Sequence, residues 1–552
     1  NRAPDNKGGA GYDQTRADFD FDRGSNAAAS RINSSGLIEK YRENLLLQSN
    51  NFTSWSNIGG TMVGGQSGYD GSNDAYLFTM SSGANICSQT NTQSGVQTYS
   101  VYAKGNVNNG LRFYAFGTSN VFAYFDLNIG AVESTNQVID ANIEDKGNGW
   151  YRCSMTFNQT NTQIYMYLSN NNNTNASSGS IYIQNAQLET GLLATDYLNS
   201  TSVTAKSGVL IDLPRINFDA NGENGALLLE PSRQQLVPES EWFGTYSSNS
   251  NGTGSLPLVY TNNATSPDGY KNATKIVFDV GSGTTTGDES QIAKNIGGLT
   301  TGANYTLSFY AKGENGGEEI IARAVSGAYI KFTLTNEWKR YELTQSAAST
   351  SYAIWFGLRQ GLGGIGTINS NATIWLWGVQ EEAGSYATSY IPNHSGTGGV
   401  TRAADSCSVT GASDVIGQTE GTLFVDFTFN GNPTSVDYSI MILGSIGSNY
   451  ITIGGYNTSL YARVFNTTMQ GTINAFSMVA GTRYKVALAY ANNDVVMYVN
   501  GVNEGSDTSA SIPAVSQIGF TRPTYEASTD ILNSQVYKER LTNAELATLT
   551  TL

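Results

Sequence analysis

The sequence predicts an all-β fold built from several stacked β-sandwiches. Short runs rich in Tyr, Val, Ile, Phe and Thr alternate apolar with polar residues, and clusters of Gly, Asn and Ser separate the runs. Residues 99–103, 164–168 and 305–310 show this period of two, which buries one face of a strand and exposes the other, as antiparallel sheets allow. Helical periodicity is nearly absent until the C-terminus. Because 552 residues exceed what one hydrophobic core organises, we expect about three or four domains.

The composition excludes several classes of protein. Thirty basic residues against 45 acidic ones give a net charge of −15, which repels phosphate and argues against a nucleic-acid surface. No apolar run approaches the roughly 18 residues of a membrane helix, so no membrane insertion is expected. The 32 Tyr, 21 Phe and 7 Trp residues can fill several cores, which argues against a disordered chain. Cys87, Cys153 and Cys407 are too far apart for a disulfide framework or a zinc site, and we expect them to be ordinary buried residues.

An internal repeat is the strongest signal in the sequence. Four blocks recur in the same order at offsets of about 190 to 208 residues, which indicates two copies of one β module. The paired blocks are residues 37–39 and 228–230, 102–105 and 310–313, 150–152 and 338–340, and 187–197 and 380–390.

The repeat and the polar stretches around it set the expected domain boundaries. The expected order is an N-terminal segment over 1–35, module one over 36–200, a linker over 201–225, module two over 226–395, a linker over 396–415 and a last domain over 416–552.

The last domain shows two local signatures. Asn500-Gly501 follows a run of alternating apolar residues and favours a type I′ hairpin turn, which needs positive φ at both central positions. Thr542 and Glu545 have the spacing of a capping box, which predicts a short helix at the end of the chain.

Several segments resemble parts of bacteriophage structural proteins. Residues 16–21 with 30–39, and residues 212–218 with 227–233, resemble openings that recur in such proteins. Residues 380–392 followed by 401–405 look like the end of a carbohydrate-binding-type jelly-roll module. The last domain, through residues 499–501 and 536–546, is similar to laminin-G/concanavalin-like lectin sandwiches. The resemblance therefore implies tandem jelly-roll β-sandwiches followed by a concanavalin/laminin-G-like β-sandwich.

The resemblance implies a virion protein that displays glycan-binding modules for attachment to a host surface, as a tail or head fibre or adhesin. Its partners would be other virion proteins, bound through the N-terminal segment, and host cell-surface glycans. Its location would be the surface of the extracellular particle. Closed symmetry is the rule for assemblies, so a homo-oligomer is expected, and fibres of this kind are often trimers. A capsid-decorating fibre without glycan binding and a polysaccharide depolymerase are the alternatives.

Aromatic side chains are the candidates for glycan binding, because a pyranose offers an apolar C–H face and a rim of hydroxyl groups. In the last domain these are Tyr456 and Tyr461, and in module two Trp355. Ordinary strand-surface aromatics are the alternative interpretation of the two tyrosines.

Catalytic residues are not expected. His394 is the only histidine, and it lies in a Gly/Ser-rich stretch where we expect it to be exposed to solvent. A glycosidase needs only two carboxylates, but Glu39 and Glu230, like Glu189 and Glu382, recur in both copies. That recurrence favours structural roles, such as accepting backbone N–H groups, so the sequence predicts a protein that is not an enzyme.

No cofactor is expected, and calcium is left as an alternative. Lectin-type sandwiches often bind calcium through carboxylate, amide and backbone oxygens. Asp414, Asp426, Asp437 and Asp494 lie in the right domain, but their spacing matches no calcium loop.

Overall fold

A computed structural model describes residues 19–24, 28–80, 86–170, 173–219, 221–431, 436–520 and 527–552. These residues form an almost entirely β structure, which confirms the predicted fold class, with one α-helix, α1 (Asn543–Thr550), in the described ranges. No helix in these ranges is long and apolar enough to cross a membrane. Most of the predicted N-terminal segment, residues 1–18 and 25–27, lies outside the described residues.

The strands are short and follow one another in chain order. The strands up to the end of module one are β1 (Asp20–Asp22), β2 (Ser30–Ile32), β3 (Ile38–Lys40), β4 (Arg42–Asn44), β5 (Ser56–Ile58), β6 (Gly60–Gln66), β7 (Ala75–Met80), β8 (Ile86–Gln93), β9 (Val96–Gly105), β10 (Gly110–Gly117), β11 (Asn120–Asp126), β12 (Ala131–Asn136), β13 (Asp140–Gly147), β14 (Trp150–Asn158), β15 (Asn161–Asn170), β16 (Thr174–Asn175) and β17 (Gly179–Thr190).

The next strands run to the end of module two. They are β18 (Ala205–Ser207), β19 (Ile216–Asn217), β20 (Ala226–Leu229), β21 (Arg233–Gln235), β22 (Ser247–Asn251), β23 (Ser255–Ala264), β24 (Ala273–Asp279), β25 (Glu289–Gly297), β26 (Asn304–Gly313), β27 (Glu319–Arg323), β28 (Ile330–Thr333), β29 (Lys339–Ser346), β30 (Ser351–Arg359) and β31 (Asn371–Ala383).

The remaining strands precede α1. They are β32 (Val400–Arg402), β33 (Ser406–Thr410), β34 (Glu420–Gly431), β35 (Asp437–Gly444), β36 (Tyr450–Tyr456), β37 (Ser459–Asn466), β38 (Thr468–Ser477), β39 (Thr482–Ala491), β40 (Asp494–Val499), β41 (Val502–Asp507), β42 (Gln517–Gly519) and β43 (Ser528–Tyr537).

The two repeat copies share the order of five strands in each sheet, and module one adds an edge strand to each, β12 and β13. In module one the sheets run β12-β11-β10-β15-β8-β5 and β13-β14-β9-β17-β7-β6. In module two the equivalent orders are β28-β27-β30-β25-β22 and β29-β26-β31-β24-β23. Each pair of sheets encloses its own apolar core, and alternation along the strands directs one side of each sheet into that core.

A hydrogen-bonding motif shows how closely the copies correspond. The backbone N–H of Thr195 donates to Oε1 of Glu189 (2.9 Å), and that of Thr388 donates to Oε1 of Glu382 (2.7 Å). In both copies the glutamine two residues before the glutamate donates its side-chain amide to the same carboxylate at 2.7 Å. These two recurring glutamates therefore accept backbone N–H groups, as the sequence predicts.

The C-terminal sandwich takes strands from earlier parts of the chain. One of its sheets runs β1-β33-β42-β35-β36-β37-β38, and the other runs β19-β20-β43-β34-β39-β40-β41. Leu229 of β20 lies in the core of this sandwich, and Phe19, Phe21 and Leu227 pack against it.

The two predicted linkers are therefore not free tethers. Residues 205–207 and 216–217 pair with β4 and β20, and residues 400–402 and 406–410 pair with β21, β1 and β42. The start of predicted module two, residues 226–229, belongs to a C-terminal sheet, because its run of apolar residues can be buried on both faces.

A buried ionic network joins these parts. Arg215 is fully buried and donates to Glu230 (2.8 Å) and to Asp405. Arg402 pairs with the same Glu230 at 2.9 Å, and Arg23 approaches Asp405 at 3.5 Å. Each of these charges has a partner of opposite sign, as a charge removed from water requires.

Both local signatures of the last domain are confirmed. Asn500 and Gly501 have φ of 48° and 84° and join β40 to β41. Thr542 caps α1, accepting a hydrogen bond from the backbone of Glu545, while the Glu545 carboxylate accepts one from the backbone of Thr542. The three cysteines are buried and free, also as predicted.

Candidate functional site

An aromatic surface covers the outer side of one sheet of module one. The strands β10, β11 and β15 alternate core residues with outward aromatic residues. Register places Tyr114 beside Phe122 on one side and Tyr165 on the other, and Tyr124 and Tyr167 lie in the next row. Ring centroids lie 5.7 Å apart for Tyr114 and Tyr165 and 5.9 Å apart for Tyr165 and Tyr167. We call this surface, with Arg112 and Phe116, the module-one aromatic face.

Arg112 lies at the centre of the module-one aromatic face. Its guanidinium carbon is 5.0 to 5.2 Å from the centroids of four rings, those of Tyr114, Phe122, Tyr124 and Tyr167. Each such contact contributes about 0.5–1 kcal/mol at an exposed site. The arginine therefore fixes the positions of the rings before any ligand arrives.

Planar polar side chains border the rings. The hydroxyl of Tyr165 donates to Gln163 (2.6 Å), whose amide donates to Ser88 (3.0 Å). Arg112 donates to Asn175 (3.2 Å). Phe116 extends the apolar surface at one end and is 48 % exposed. Tyr124 is buried, whereas the other rings of the face are partly or fully exposed and have hydrogen-bonding groups at their rim.

Trp355 occupies the equivalent place in module two. The runs 164–168 and 354–358 align on equivalent strands, β15 and β30, so Trp355 corresponds to Tyr165. Trp355 is half-buried and lies 5.1 Å from the guanidinium of Arg323, which also approaches Tyr329 (4.8 Å) and Tyr352 (5.3 Å). Both copies therefore present an arginine among aromatic rings on the same sheet.

Three hydrogen-bond donors around Trp355 are buried and have no partner among the residues that the structure describes. They are Trp355 Nε1, Arg323 Nε and Gln291 Nε2. Gln291 lies on β25 opposite Gly357, and its carbonyl oxygen accepts a hydrogen bond from Tyr329 (3.4 Å). A buried donor without a partner costs about 1–3 kcal/mol, so such groups are unusual in a folded protein.

The two tyrosines predicted in the last domain have different environments. Tyr456, at the end of β36, is 44 % exposed. Tyr461 is buried, its hydroxyl donates to the backbone of Tyr438 (3.3 Å), and Arg463 covers its ring at 3.7 Å. The structure therefore does not offer Tyr461 to a ligand and does not place either tyrosine near Trp355's aromatic cluster.

The aspartates considered for calcium do not converge. Asp426 pairs with Arg483 (2.6 Å), Asp437 with Arg463 (2.9 Å) and Asp494 with Arg540 (2.9 Å). Within the described ranges no group of three or more His, Cys, Asp or Glu side chains could hold a metal ion.

His394 is not the exposed linker residue that the sequence predicts. Its side chain is only 14 % exposed and lies 4.0 Å from Glu241. Burial lowers the pKa of His394, although the charge of Glu241 opposes that shift. The residue is held there because the exit from module two packs back on module one, where the backbone of Val96 donates to the carbonyl of His394 (2.8 Å).

Two carboxylates lie at the end of the module-one aromatic face. Asp126 follows Tyr124 on β11 with the period of two, and Glu133 lies at a bulge in the neighbouring β12. Oε2 of Glu133 is buried without a hydrogen-bond partner. Burial raises the pKa of Glu133, and the charge of Asp126 raises it further.

Sequence reasoning missed the module-one aromatic face, although a signal was present. Aromatic residues alternate at 114 and 116, at 122 and 124, and at 165 and 167. Such alternation places each pair on one side of its strand, and only the register shows that the three pairs share a sheet face.

Comparisons with known proteins give only matches of low identity and low TM-score. No family model matches the chain, and no curated protein matches it. The tandem CBM22 domains of Paenibacillus barcinonensis Xyn10C match at 13 % identity over 65 % of this chain and 98 % of that chain, with a TM-score of 0.21. Domain 4 of a GH43 arabinanase from Geobacillus stearothermophilus, solved with arabinotriose, matches at 13 % over 29 % and 84 %, with a TM-score of 0.23. Trypanosoma rangeli sialidase matches at 12 % over 95 % and 96 %, with a TM-score of 0.22.

The prediction that the chain is not an enzyme is wrong as a conclusion from its architecture. Proteins matched by this chain include a sialidase and a domain of an arabinanase, and these matches contradict that prediction. Identities and TM-scores this low transfer no activity or ligand to this chain. The predicted fold class is confirmed by the structure, which is an all-β protein of tandem β-sandwich modules.

Proposed function

We propose that the protein binds glycans through the module-one aromatic face and the equivalent surface around Trp355. The single observation that carries this proposal is the arginine-centred cluster of half-exposed rings on the same sheet of both copies. A pyranose ring stacks its C–H face on such rings and directs its hydroxyl groups to polar side chains at the rim. The two faces occur in one chain, so a repeating polysaccharide can bind both.

The unpartnered donors beside Trp355 support the same ligand class. A ligand hydroxyl that reaches Trp355 Nε1 or Gln291 Nε2 supplies an acceptor that the described chain lacks. A purely apolar ligand would leave these donors without a partner. A polyhydroxylated ligand therefore fits this surface better than a lipid or an aromatic compound.

A glycan array probed with the full chain tests the proposal, followed by calorimetric titration of the glycans retained. Trp355→Ala and Tyr165→Ala should each weaken binding at least tenfold, and the double variant should abolish it. Tyr260→Ala is the matched control, because Tyr260 is 47 % exposed on β23, in the other sheet of module two. Equal affinity of the wild type and the double variant would refute the assignment.

We further propose that the chain is displayed on a bacteriophage particle, as an oligomeric fibre or adhesin that attaches to host glycans. The sequence segments that resemble phage structural proteins support this role, and copy number would multiply a weak affinity at each site. Antibody labelling of particles in electron micrographs, with mass photometry of the purified chain, tests the location and the oligomeric state. Particles without label, or a strictly monomeric chain, would contradict it.

Asp126 and Glu133 favour a second candidate function, the hydrolysis of a bound polysaccharide. Glycoside hydrolysis uses a pair of carboxyl groups, one of which must be protonated. Burial and the charge of Asp126 raise the pKa of Glu133, which is the direction that a general acid requires. Release of reducing ends from host polysaccharide, lost in Glu133→Gln but with binding retained, would establish it. Binding without release by the wild type would rule it out for that polysaccharide.

A further inference from the structure

A polar pocket of about 390 Å³ opens on the outer side of the second sheet of module one, the sheet that contains β7, β9 and β17. We call it the module-one pocket. The rings of Tyr69 and Tyr102 stack at 3.9 Å and form part of its wall. Asp70, Asp74 and Asp196 also line it, and none of its described lining residues is basic.

The repeat places an equivalent site in module two. Residues 70–75 and 268–273 share the pattern Asp-Gly followed by Ala at the sixth position. The residues that follow, Tyr76 and Thr274, pair with equivalent positions of β17 and β31. Asp268 therefore corresponds to Asp70, and Asn272 corresponds to Asp74. Both glycines have φ near +83°, at 82° and 84°, so the two loops have the same conformation at this point.

In module two this site holds an ammonium group. Nζ of Lys40, which comes from β3, lies 2.8 Å from Oε1 of Glu241 and 2.7 Å from Oδ2 of Asp268. It also lies 5.2 Å from the ring centroid of Trp377, which is fully buried. Burial alone would lower the pKa of Lys40, but the charges of Asp268 and Glu241 outweigh burial and raise it. The site therefore stabilises a protonated primary amine.

The two loops use their aspartates in the same way. Oδ1 of Asp268 accepts hydrogen bonds from Ser266 (2.7 Å) and the backbone of Tyr270 (3.0 Å), while Oδ2 accepts one from Asn272 (3.0 Å) and faces Lys40. In module one the bonds that Asp70 accepts from Ser72, at 2.6 Å from the hydroxyl and 3.1 Å from the backbone, also go to Oδ1. These bonds lower the pKa of Asp70, so it is ionised at neutral pH. Oδ2 of Asp70 is then the atom that corresponds to the ammonium ligand in module two.

The module-one pocket and its counterpart in module two have different side chains at equivalent positions. Gln184 replaces Trp377 at the paired position, since both lie opposite equivalent tyrosines, Tyr102 and Tyr310. Asn50 replaces Glu241, while Asp74 replaces Asn272, so a pair of carboxylates is kept, and Asp196 adds a third to the module-one pocket. In module two Lys40 neutralises one of these charges, whereas no described basic residue lines the module-one pocket.

We propose that the module-one pocket binds the protonated primary amine of an external ligand, as its counterpart in module two holds the ammonium group of Lys40. Two sources share this chemistry: an amino sugar with a free amine, and a lysine side chain of another protein chain. The proposal is independent of glycan binding at the aromatic faces.

The test compares amines with their acetylated forms on the full chain, by NMR or calorimetric titration. The probes are glucosamine trisaccharide against its N-acetylated form, and Nα-acetyl-lysine methylamide against its Nε-acetylated form. At least one free amine should bind ten times more tightly than its acetylated partner, and added salt should weaken the binding. Preference for the trisaccharide supports a glycan ligand, and preference for the lysine derivative supports a protein segment.

Substitutions then locate the site. Asp70→Asn with Asp74→Asn should lower the affinity for the amine at least tenfold, because the pocket loses two negative charges. An amide at position 70 keeps an oxygen for the bonds from Ser72. The Asp74 carboxylate accepts through both oxygens, from Gln184 (2.6 Å) and Asn50 (3.0 Å), so an unchanged Tm is required of the double variant before its affinity is compared. Asp145→Asn is the matched control, because Asp145 is exposed on module one and its hydrogen bond from the backbone of Gly147 needs only one oxygen. Equal binding of free and acetylated amines by the wild type would overturn the proposal, as would unchanged affinity in the double variant. Binding of neutral glycans to the aromatic faces tests the proposed function separately.

Discussion

Replacing Glu381 by Leu should stabilise module two, and by an amount that grows with pH. Glu381 is fully buried, and neither carboxyl oxygen has a hydrogen-bond partner among the described residues. It follows Val379 of the module-two core with the period of two and pairs with Leu307 of that core. In module one the equivalent position is Leu188, which lies in the core. The repeat thus shows that this site accepts a leucine.

The size of the effect follows from the state of the carboxyl group. Burial raises the pKa of Glu381 well above its ordinary value, and the charge of Glu382 adds to the shift. The unfolded chain ionises this group above a pH of about 4.3, whereas the folded chain keeps it protonated. Its full contribution to stability is therefore present below that pH. As the pH rises toward the folded pKa, stability falls by about 1.4 kcal/mol for each pH unit.

Glu381→Leu removes the fall in stability with rising pH. It also removes the cost of a buried carboxyl group without a hydrogen bond, which is about 1–3 kcal/mol at any pH. Denaturant unfolding followed by tryptophan fluorescence measures the effect, since five of the seven tryptophans lie in module two. Glu381→Gln separates the two parts, because it removes the ionisation but keeps a buried polar group. Leu188→Glu in module one should produce the opposite change. A difference between Glu381→Leu and the wild type that stays constant from pH 4 to pH 7 would refute the reasoning.

Three further predictions concern the buried network and the C-terminal helix. Asp405→Asn should lower the free energy of unfolding by about 3–5 kcal/mol, because it leaves the buried Arg215 without one counter-charge, and calorimetry should show a lower Tm. Burial alone would raise the pKa of Glu230, but the charges of Arg402 and Arg215 outweigh burial and lower this pKa to about 2. Above a pH of about 4.3, Glu230 therefore contributes roughly 3 kcal/mol to the free energy of unfolding. This contribution is lost as the pH falls toward 2. Glu230→Gln should flatten the unfolding free energy over that acid range, and an unchanged acid dependence would contradict the assignment. Thr542→Ala should cost about 1 kcal/mol at the helix N-terminus and speed amide exchange in α1.

Local sequence patterns were sufficient for features that depend on neighbouring residues. The capping box at Thr542 and the hairpin at Asn500-Gly501 follow from backbone geometry within a few residues. The structural role of Glu189 and Glu382 follows from the repeat, because a residue that is duplicated together with its fold is expected to stabilise that fold. Both glutamates accept backbone N–H groups.

Features that depend on distant contacts could not be predicted from one sequence. Alternation shows that Tyr461 shares a face with its second neighbours, but not that Arg463 and Tyr438 cover it. Trp355 was identified from its residue type alone, while Arg323 and Gln291 beside it come from strands that only the register brings together. The strand pairing of residues 205–207 and 400–402 within the predicted linkers could not be foreseen for the same reason, since a short polar stretch and a short edge strand look alike in sequence.

The pairing of β1 with β33 has a consequence for synthesis. A nascent chain releases residues 20–22 from the ribosome long before residues 406–408, so this strand has no partner while both modules emerge and fold. The same delay applies to residues 227–229, which pair with residues 529–531. The C-terminal sandwich therefore completes only after residues 528–537 have emerged from the ribosome. A transcript cut short before residue 416 would yield two folded modules and unpaired strand edges prone to aggregation.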